Sequence, residues 1–485
     1  MTDCVYDPQT CTGCGACAAR CPQRAIRMEI GEEGFVWPVV DIDKCVGCGL
    51  CARICPAEHP VCENAEKPEC LAAAAADELR RDSSSGAVFP LLAERVLQEG
   101  GTVFGAARDE DGTVRHIGVD DLDGLRKLKS SKYVQSETGN CYRQAEELLK
   151  AGREVLFSGT PCQIAGLNAF LGRKYDNLLT VDVVCHGVPS PLAFRRYAEE
   201  LTEEGKEKVL AVNFRDKVRG WYPYFLTVKT EENVYSSDCR ENEFMRAFLA
   251  NLCLRKSCAA CPFARFPRQG DLTLGDFWGI GRHAPDLDDN LGTSLVLINT
   301  ERGRRRMAEL TPRLKFRRSL PLARAIEGNP SLVRPPVPHP RRDYFFSRLE
   351  QLPFKQNVSH CFNNRYDCGI LNFWFGSNYG AMLTCYALQE SVKRLGLKPK
   401  VINYVPANVN FAGSLAETFA GKYLDLTELC TNAEELRRLN RETKAFIVGS
   451  DQVWRHKYSR LFGRDLFWLS FAAPNAKKIA YAASF

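Results

Sequence analysis

Eight cysteines near the start of the chain stand at spacings suited to binding an inorganic cluster. Residues 11–22 read CTGCGACAARCP and residues 45–56 read CVGCGLCARICP. The pattern C-x2-C-x2-C-x3-C-P therefore occurs twice, at Cys11, Cys14, Cys17, Cys21 and at Cys45, Cys48, Cys51, Cys55. A four-iron cluster takes four thiolates, and in runs of this spacing the fourth Cys of each set ligates the cluster of the other. The expected sets are Cys11, Cys14, Cys17 and Cys55 for one 4Fe–4S cluster, and Cys45, Cys48, Cys51 and Cys21 for the second. The alternatives are zinc knuckles or a disulfide scaffold, but zinc sites pair two C-x2-C units across a longer gap. Gly13, Gly15, Gly47 and Gly49 let backbone wrap closely round a core where side chains would clash. Pro22 and Pro56 stop each loop from continuing as a helix.

This repeat resembles the bacterial two-cluster ferredoxin domain, which places such a domain at 1–62. Some sixty residues bury little apolar surface, so the clusters are expected to act as staples whose binding is largely folding free energy. A second group, Cys253, Cys258 and Cys261, reads C-x4-C-x2-C with Pro262 after it. These three suit a cluster or a zinc ion, and the fourth ligand must come from elsewhere. Cys162 and Cys185 are the remote candidates. Cys62 and Cys70 read as spare surface thiols.

The bulk numbers exclude several classes. The chain has 485 residues and a formal net charge of +6 spread over a large surface, with no basic block or aromatic-interleaved patch suited to nucleic acid. The start, MTDCVYDPQT, lacks the charged and apolar regions of a signal peptide, and no apolar run is long enough to span a membrane. Of 22 cysteines, at least eight are expected as cluster thiolates, which calls for a reducing compartment. The expectation is a cytoplasmic protein of anaerobic setting.

The elements that must position these groups read as a multidomain α+β and α/β chain. Leu71 to Arg81 is Ala-rich and helix-prone. Asp82 to Gly86 breaks it and can cap a helix carrying Phe89, Leu92, Val96 and Leu97 on one face. TVFGAA, from Thr102, starts a strand. Val155 to Ser158 is a strand, Gly159-Thr160-Pro161 a tight turn, and a helix follows. LLTVDVV is a second buried strand, and its end carries Cys185 and His186; strand ends of such folds are where ligands bind. VNFRDKVRGWYPYFLTVKT alternates like antiparallel strands.

Six ordered stretches, SSSGAVFP, KSSKYVQS, SGTPCQIAGL, CHGVPSP, FRDKVRGW and CAACPFARFPRQGDLTLGDFWGI, together resemble the coenzyme F-420 hydrogenase/dehydrogenase beta-subunit family. The resemblance covers 83–330 and implies a mixed α/β domain with FAD and 4Fe–4S clusters, moving electrons between one-electron carriers and a two-electron acceptor. It implies a third cluster on Cys253, Cys258 and Cys261 with Cys162 or Cys185. For the flavin, backbone N–H groups and hydroxyls near turns are wanted. Ser84, Ser85 and Gly86 offer one such place; Ser131, Lys132, Tyr133, Gln135 and Ser136 offer another, and Gly159 and Thr160 lie in the strand-end turn. His186 is a candidate donor to reduced flavin or substrate. Lys132 is a candidate to neutralise a reduced isoalloxazine or a phosphate. Each of these also suits a plain cap, loop or core role, and Trp278 reads as a core aromatic before a stacking platform.

Prolines from Pro330 to Pro340 mark an extended linker at 331–365. Beyond it, CGILNFWFGSNYGAMLTCYALQ and FIVGSDQVW are strand–turn–helix units. SNYGAMLTCYALQ with FIVGSDQVW resembles the N-terminal half of the polysaccharide pyruvyl transferase family, over 366–485. That implies a Rossmann-like half of a two-lobed transferase acting from phosphoenolpyruvate onto a sugar, with Asn378, Tyr379, Ser450, Asp451 and Gln452 as acceptor-side contacts. The second lobe is absent, so the chain reads as a fragment of a longer protein. The expected function is an electron-transferring oxidoreductase taking electrons from a soluble carrier and delivering them to a small-molecule or glycan acceptor. The alternatives are an electron-delivery module for another catalytic subunit, or a transferase with an accessory redox half.

Overall fold

A computed structural model describes the chain outside residues 1–6, 110–111, 204, 363–365, 375–377, 407–413, 444, 460–461 and 464. The chain divides into two compact units, residues 1–358 and 359–485.

In the first unit each cysteine run folds into a loop closed by a short helix, Ala16–Arg20 and Leu50–Arg53. The N-caps of these helices, Gly15 and Gly49, have φ of 79° and 67°. That left-handed backbone is costly for any L side chain, so glycine is the residue that lets the loop turn there. Between the runs, β1 (Ile26–Ile30) and β2 (Val36–Val40) pair antiparallel.

Then come β3 (Glu69–Ala75), β4 (Thr102–Arg108), β5 (Val114–Val119), β6 (Val155–Gly159) and β7 (Leu178–Val183). A three-stranded antiparallel sheet follows, β8 (Val209–Asp216), β9 (Phe225–Thr230) and β10 (Val234–Asp238). The main sheet is completed by β11 (Leu272–Asp276), β12 (Ser294–Ile298) and β13 (Leu314–Ser319), in the order β13-β3-β12-β11-β7-β6-β4-β5. Strands β4, β6, β7 and β11 run parallel, while β5, β12, β3 and β13 each pair antiparallel.

The Ala-rich stretch expected as a helix is the buried strand β3; only Asp77–Arg81 is helical. Helix propensity separates alanine from other residues by under about 1 kcal/mol per position, and the tertiary setting overrides it. Between β13 and β12, Leu71, Ala73 and Ala75 pack on one face with Leu91, Leu92 and Val96. Cys70 and Ala72 pack on the other with Phe277, Leu295 and Leu297. Cys70 is thus a core residue, not a surface thiol, and Cys62 is half-buried, donating to the Arg268 carbonyl at 3.0 Å. The helix Val88–Gln98 forms as its apolar spacing requires, but it starts at Ala87 without a side-chain cap from Asp82 to Gly86.

The stretch expected as an extended linker carries helices Arg342–Arg348 and Phe354–Phe362. Arg342, buried, donates to the Leu254 carbonyl at 2.7 Å and pairs with Glu33, which fixes residues 342–348 to the first unit. The cysteine-rich head shares a core with the main domain. Cys14, Ala16 and Ala19 pack with Tyr142, Phe157, Ile164, Leu167 and Phe170.

The second unit has a parallel sheet of β14 (Cys368–Leu371), β15 (Pro399–Val401), β16 (Ala445–Gly449) and β17 (Lys477–Tyr481), ordered β15-β14-β16-β17. Helix Tyr379–Arg394 is capped by Asn378, whose Oδ1 accepts from the Gly380 and Ala381 amides. Among the described residues no helix is long and apolar enough to cross a membrane.

Candidate functional site

Parallel strands β6, β7 and β11 are neighbours, and the segments after their C-terminal ends meet. The first carries Gly159, Thr160 and Cys162, the second Cys185 and His186, and the third Asp276 and Trp278. This is where open α/β sheets bind ligands. A capping box, in which Gln163 Oε1 accepts from the Thr160 amide at 3.0 Å, starts helix Pro161–Leu171 and fixes Cys162 in its first turn.

Cys162, Cys185, Cys258 and Cys261 line one void together with Arg255 and Arg268. Both remote candidates are therefore brought in, and Cys253 is not. Cys253 is wholly buried elsewhere, with Arg342 as its charged neighbour, and its carbonyl accepts from the Ser190 amide at 3.0 Å. Between Cys253 and Cys258, Leu254 bridges Pro189, and a short 3-10 helix, Lys256–Ala260, carries Cys258. Burial, with neighbouring sulfurs adding to it, pushes the Cys162 thiol up to about 11 and the Cys258 thiol up to about 12. Such thiols ionise only when a cationic core takes their charge. The Val188 amide donates to Cys258 Sγ at 3.4 Å, a contact suited to a thiolate. The donor set and its burial fit a cluster.

A second void is lined by Cys11, Cys14, Cys17 and Cys55, with Cys51 beside them. The amides of Gly13, Ala16 and Ala18 face Cys11, Cys14 and Cys17 respectively. Cys45, Cys48 and Cys51 neighbour one another nearer the surface, and Cys48 is exposed. The Cys21 sulfur accepts from the Ala25 amide at 3.3 Å. Cys14 is an electrostatic neighbour of Cys162, so the inner head site and the strand-end site adjoin. Thr12 lines both voids.

Cys162 and Cys185 also border a cavity of about 460 Å³ on the far side of the strand-end site. The two serine-bearing segments of the sequence meet here. The Ser131 amide donates to Ser84 Oγ at 2.9 Å. Ser85 lines the cavity, although its hydroxyl donates to the Thr293 carbonyl. Gly86 does not line it: a Cβ there would stand 2.4 Å from the Ala73 carbonyl oxygen, so this glycine serves sheet packing. Lys132 lines the cavity, but its ammonium is turned onto the Lys127, Lys129 and Ser130 carbonyls, at 2.9, 2.6 and 3.1 Å. That holds the end of helix Leu122–Leu128, and burial lowers its pKa to about 7. Tyr133 packs on Phe248, and Gln135 accepts from the Val36 amide of the cysteine-rich head, so both border the cavity while anchoring its wall. Gly159, Thr160 and His186 border it too, and the half-buried His186 ring neighbours the Asn251 side chain. Burial lowers the His186 pKa.

Sequence reasoning missed two groups. His116 on β5 stands between Ser136 Oγ (2.8 Å) and the Ser158 carbonyl (3.0 Å). A carbonyl only accepts, so Nε2 carries the proton and Nδ1 accepts from Ser136, whose oxygen then offers lone pairs to the cavity. Burial lowers the His116 pKa to about 4 and keeps the ring neutral. Arg215 on β8 pairs with Asp276 at 2.9 Å and lies over Tyr224 and Trp278. Trp278 in turn stacks on Trp221 at 4.8 Å. The motif FRDKVRGW contained Arg215, but nothing in its spacing marked a side chain aimed at a distant strand end.

In the second unit the Asn378, Asp451 and Gln452 side chains, expected to meet an acceptor, are engaged locally. Asn378 caps its helix, Ser450 donates its amide to the Tyr481 carbonyl, Asp451 Oδ1 accepts from the Gln452 amide, and Gln452 accepts from Arg455. Tyr379 is exposed. Gly376 and Ser377 of the glycine-rich turn lie outside the described residues.

Residues 10–59 match the 4Fe-4S dicluster domain. Residues 152–317 match the family described as the C terminus of the coenzyme F420 hydrogenase/dehydrogenase beta subunit. The first unit is thus an iron–sulfur electron-transfer module related to that protein. Among solved structures, a chain of the xenon-derivatized F420-reducing [NiFe] hydrogenase complex from Methanosarcina barkeri is 16% identical. The match covers 62% of this chain and 93% of that one, with a TM-score of 0.37. No curated protein matches the chain.

Proposed function

We propose that the first unit is an oxidoreductase in which electrons enter at the exposed Cys48 side and reach a flavin in the 460 Å³ cavity. When bound, the clusters carry single electrons and FAD pairs them. The observation that carries the reading is the double position of Cys162 and Cys185, which border both the four-cysteine void and the cavity. Cys162 also adjoins Cys14, so the three cysteine sites form a continuous line.

The chain's own residues prepare each end. The strand-end thiols are half-buried, whereas Cys48 is exposed, as suits contact with a soluble redox partner. In the cavity, the Ser84–Ser131 pair and Ser136 offer hydroxyl oxygens, Arg215 offers a buried positive charge balanced by Asp276, and His186 offers a half-buried imidazole. Lys132 serves to hold the loop that carries Ser131 to Ser136. The ligand set supported for the third cluster is Cys162, Cys185, Cys258 and Cys261. Anaerobically purified Cys258→Ser should lose about four irons per chain relative to the native protein, while Cys253→Ser should lose none. Equal loss from both would refute the ligand set.

For the second unit the reading is a Rossmann-like half of a transferase of the polysaccharide pyruvyl class. Its support is the all-parallel sheet, whose order reverses between β14 and β16, beside Asn378 and Ser450. Phosphoenolpyruvate that fails to bind this unit in a calorimetric titration of the chain would sink this reading.

A further inference from the structure

Five arginines of the first unit are buried: Arg80, Arg215, Arg255, Arg268 and Arg342. Four of them hold carboxylates: Arg80 holds Asp289, Arg215 holds Asp276, Arg268 holds Asp182 and Arg342 holds Glu33. Arg255, 2% exposed, pairs with none among the described residues. A guanidinium cannot shed its proton, and burying it without a counter-charge is expensive. Its fork shows what takes the place of a carboxylate. Nε donates to the Cys11 carbonyl at 2.9 Å and Nη1 to the Val36 carbonyl at 3.0 Å, while Nη2 points at Cys11 Sγ at 3.8 Å. The guanidinium lies over the Trp37 ring at 3.7 Å, and the same residue lines the void of Cys162, Cys185, Cys258 and Cys261.

We propose that Arg255 is a positioning residue shared by two iron–sulfur sites: its counter-ions are the anionic cluster at Cys11 and the anionic cluster at Cys162 and Cys258. This rests on the three-cluster reading above. A fixed positive charge and an N–H···S contact favour the more negative, reduced form of a cluster, so Arg255 raises the reduction potential of both. The second head cluster, at Cys45, Cys48 and Cys51, lies outside its contacts and keeps its own potential. The charge of Arg255 thus makes both inner sites better electron acceptors than they would be without it. The fork also ties the Cys11 loop and β2 to the strand-end site, which fixes the gap the electron crosses.

The test uses the full chain, purified anaerobically as the native protein, Arg255→Lys and Arg255→Met. Iron and sulfide are counted, and the clusters are titrated by electron paramagnetic resonance against potential. In Arg255→Met, with iron retained, two of the three midpoints should move negative and the third should stay. Arg255→Lys, which keeps the charge and loses the fork, should fall between. Unmoved midpoints, or an equal shift of all three, overturn the proposal. Should Arg255→Met lose its iron, native protein labelled with 15N-arginine decides: a guanidinium nitrogen coupling on the reduced clusters is expected, and its absence overturns the proposal. A native chain binding only two clusters would instead overturn the reading beneath it.

Discussion

The polarity of single atoms settles much of what the cavity can hold. His116 is the clearest case, because the Ser158 carbonyl dictates its tautomer and, through it, the direction of the Ser136 hydroxyl. Its pKa is lowered by burial from 6.5 to about 4. The unfolded chain therefore binds a proton between those values that the folded chain refuses. Stability from this group is fully present above pH 6.5 and is lost as pH falls towards 4, at roughly 1.4 kcal/mol per pH unit. His116→Gln removes the titrating group, so denaturant midpoints at pH 7 and pH 5 should differ less in the variant than in the native protein. An equal acid loss in both would show that the imidazole does not carry the effect. The cysteines show the limits of reading residues alone. Spacing named the eight of the head by type and number, yet it paired Cys253 with Cys258 and Cys261 because three sulfurs in nine residues look like one group. Cys253 lies in the core instead, beside the Leu254–Pro189 bridge, and only the meeting of β6, β7 and β11 brings Cys162 and Cys185 together.

At the scale of elements, the parallel strands and their helices were legible because buried apolar runs and glycine punctuation mark them. The helix Val88–Gln98, β6 with its turn, β7 and β14 all form where periodicity places them. β3 was not legible, since its alanines favour a helix locally and become a strand only between β12 and β13. Helix Pro161–Leu171 carries one of the contacts that join head to main domain. A Cβ on Gly166 would stand 2.8 Å from Tyr142 Oη and 3.1 Å from Cys14 Sγ. Within an ordinary helix Gly→Ala stabilises by up to about 1 kcal/mol. Here the close approach reverses the sign, and Gly166→Ala should destabilise by about 1–3 kcal/mol, as overpacked cores do. A raised melting temperature with unchanged iron content would contradict this packing.

Across the whole molecule, three cysteine sites and a cavity lie in sequence within the first unit, from the exposed Cys48 to the half-buried His186. The amino-acid spacing marked the first two sites and half of the third, and the resemblance of six stretches pointed to a flavin. The order of the sites came from tertiary packing: Cys14 beside Cys162, and Cys162 on the cavity wall. The central claim is that this unit holds three four-iron clusters leading to one flavin. Counting iron, acid-labile sulfide, zinc and flavin per chain in anaerobically purified protein tests it most directly. The account predicts roughly twelve irons, matching sulfide and one FAD, whereas roughly eight irons with a zinc and no flavin would contradict it.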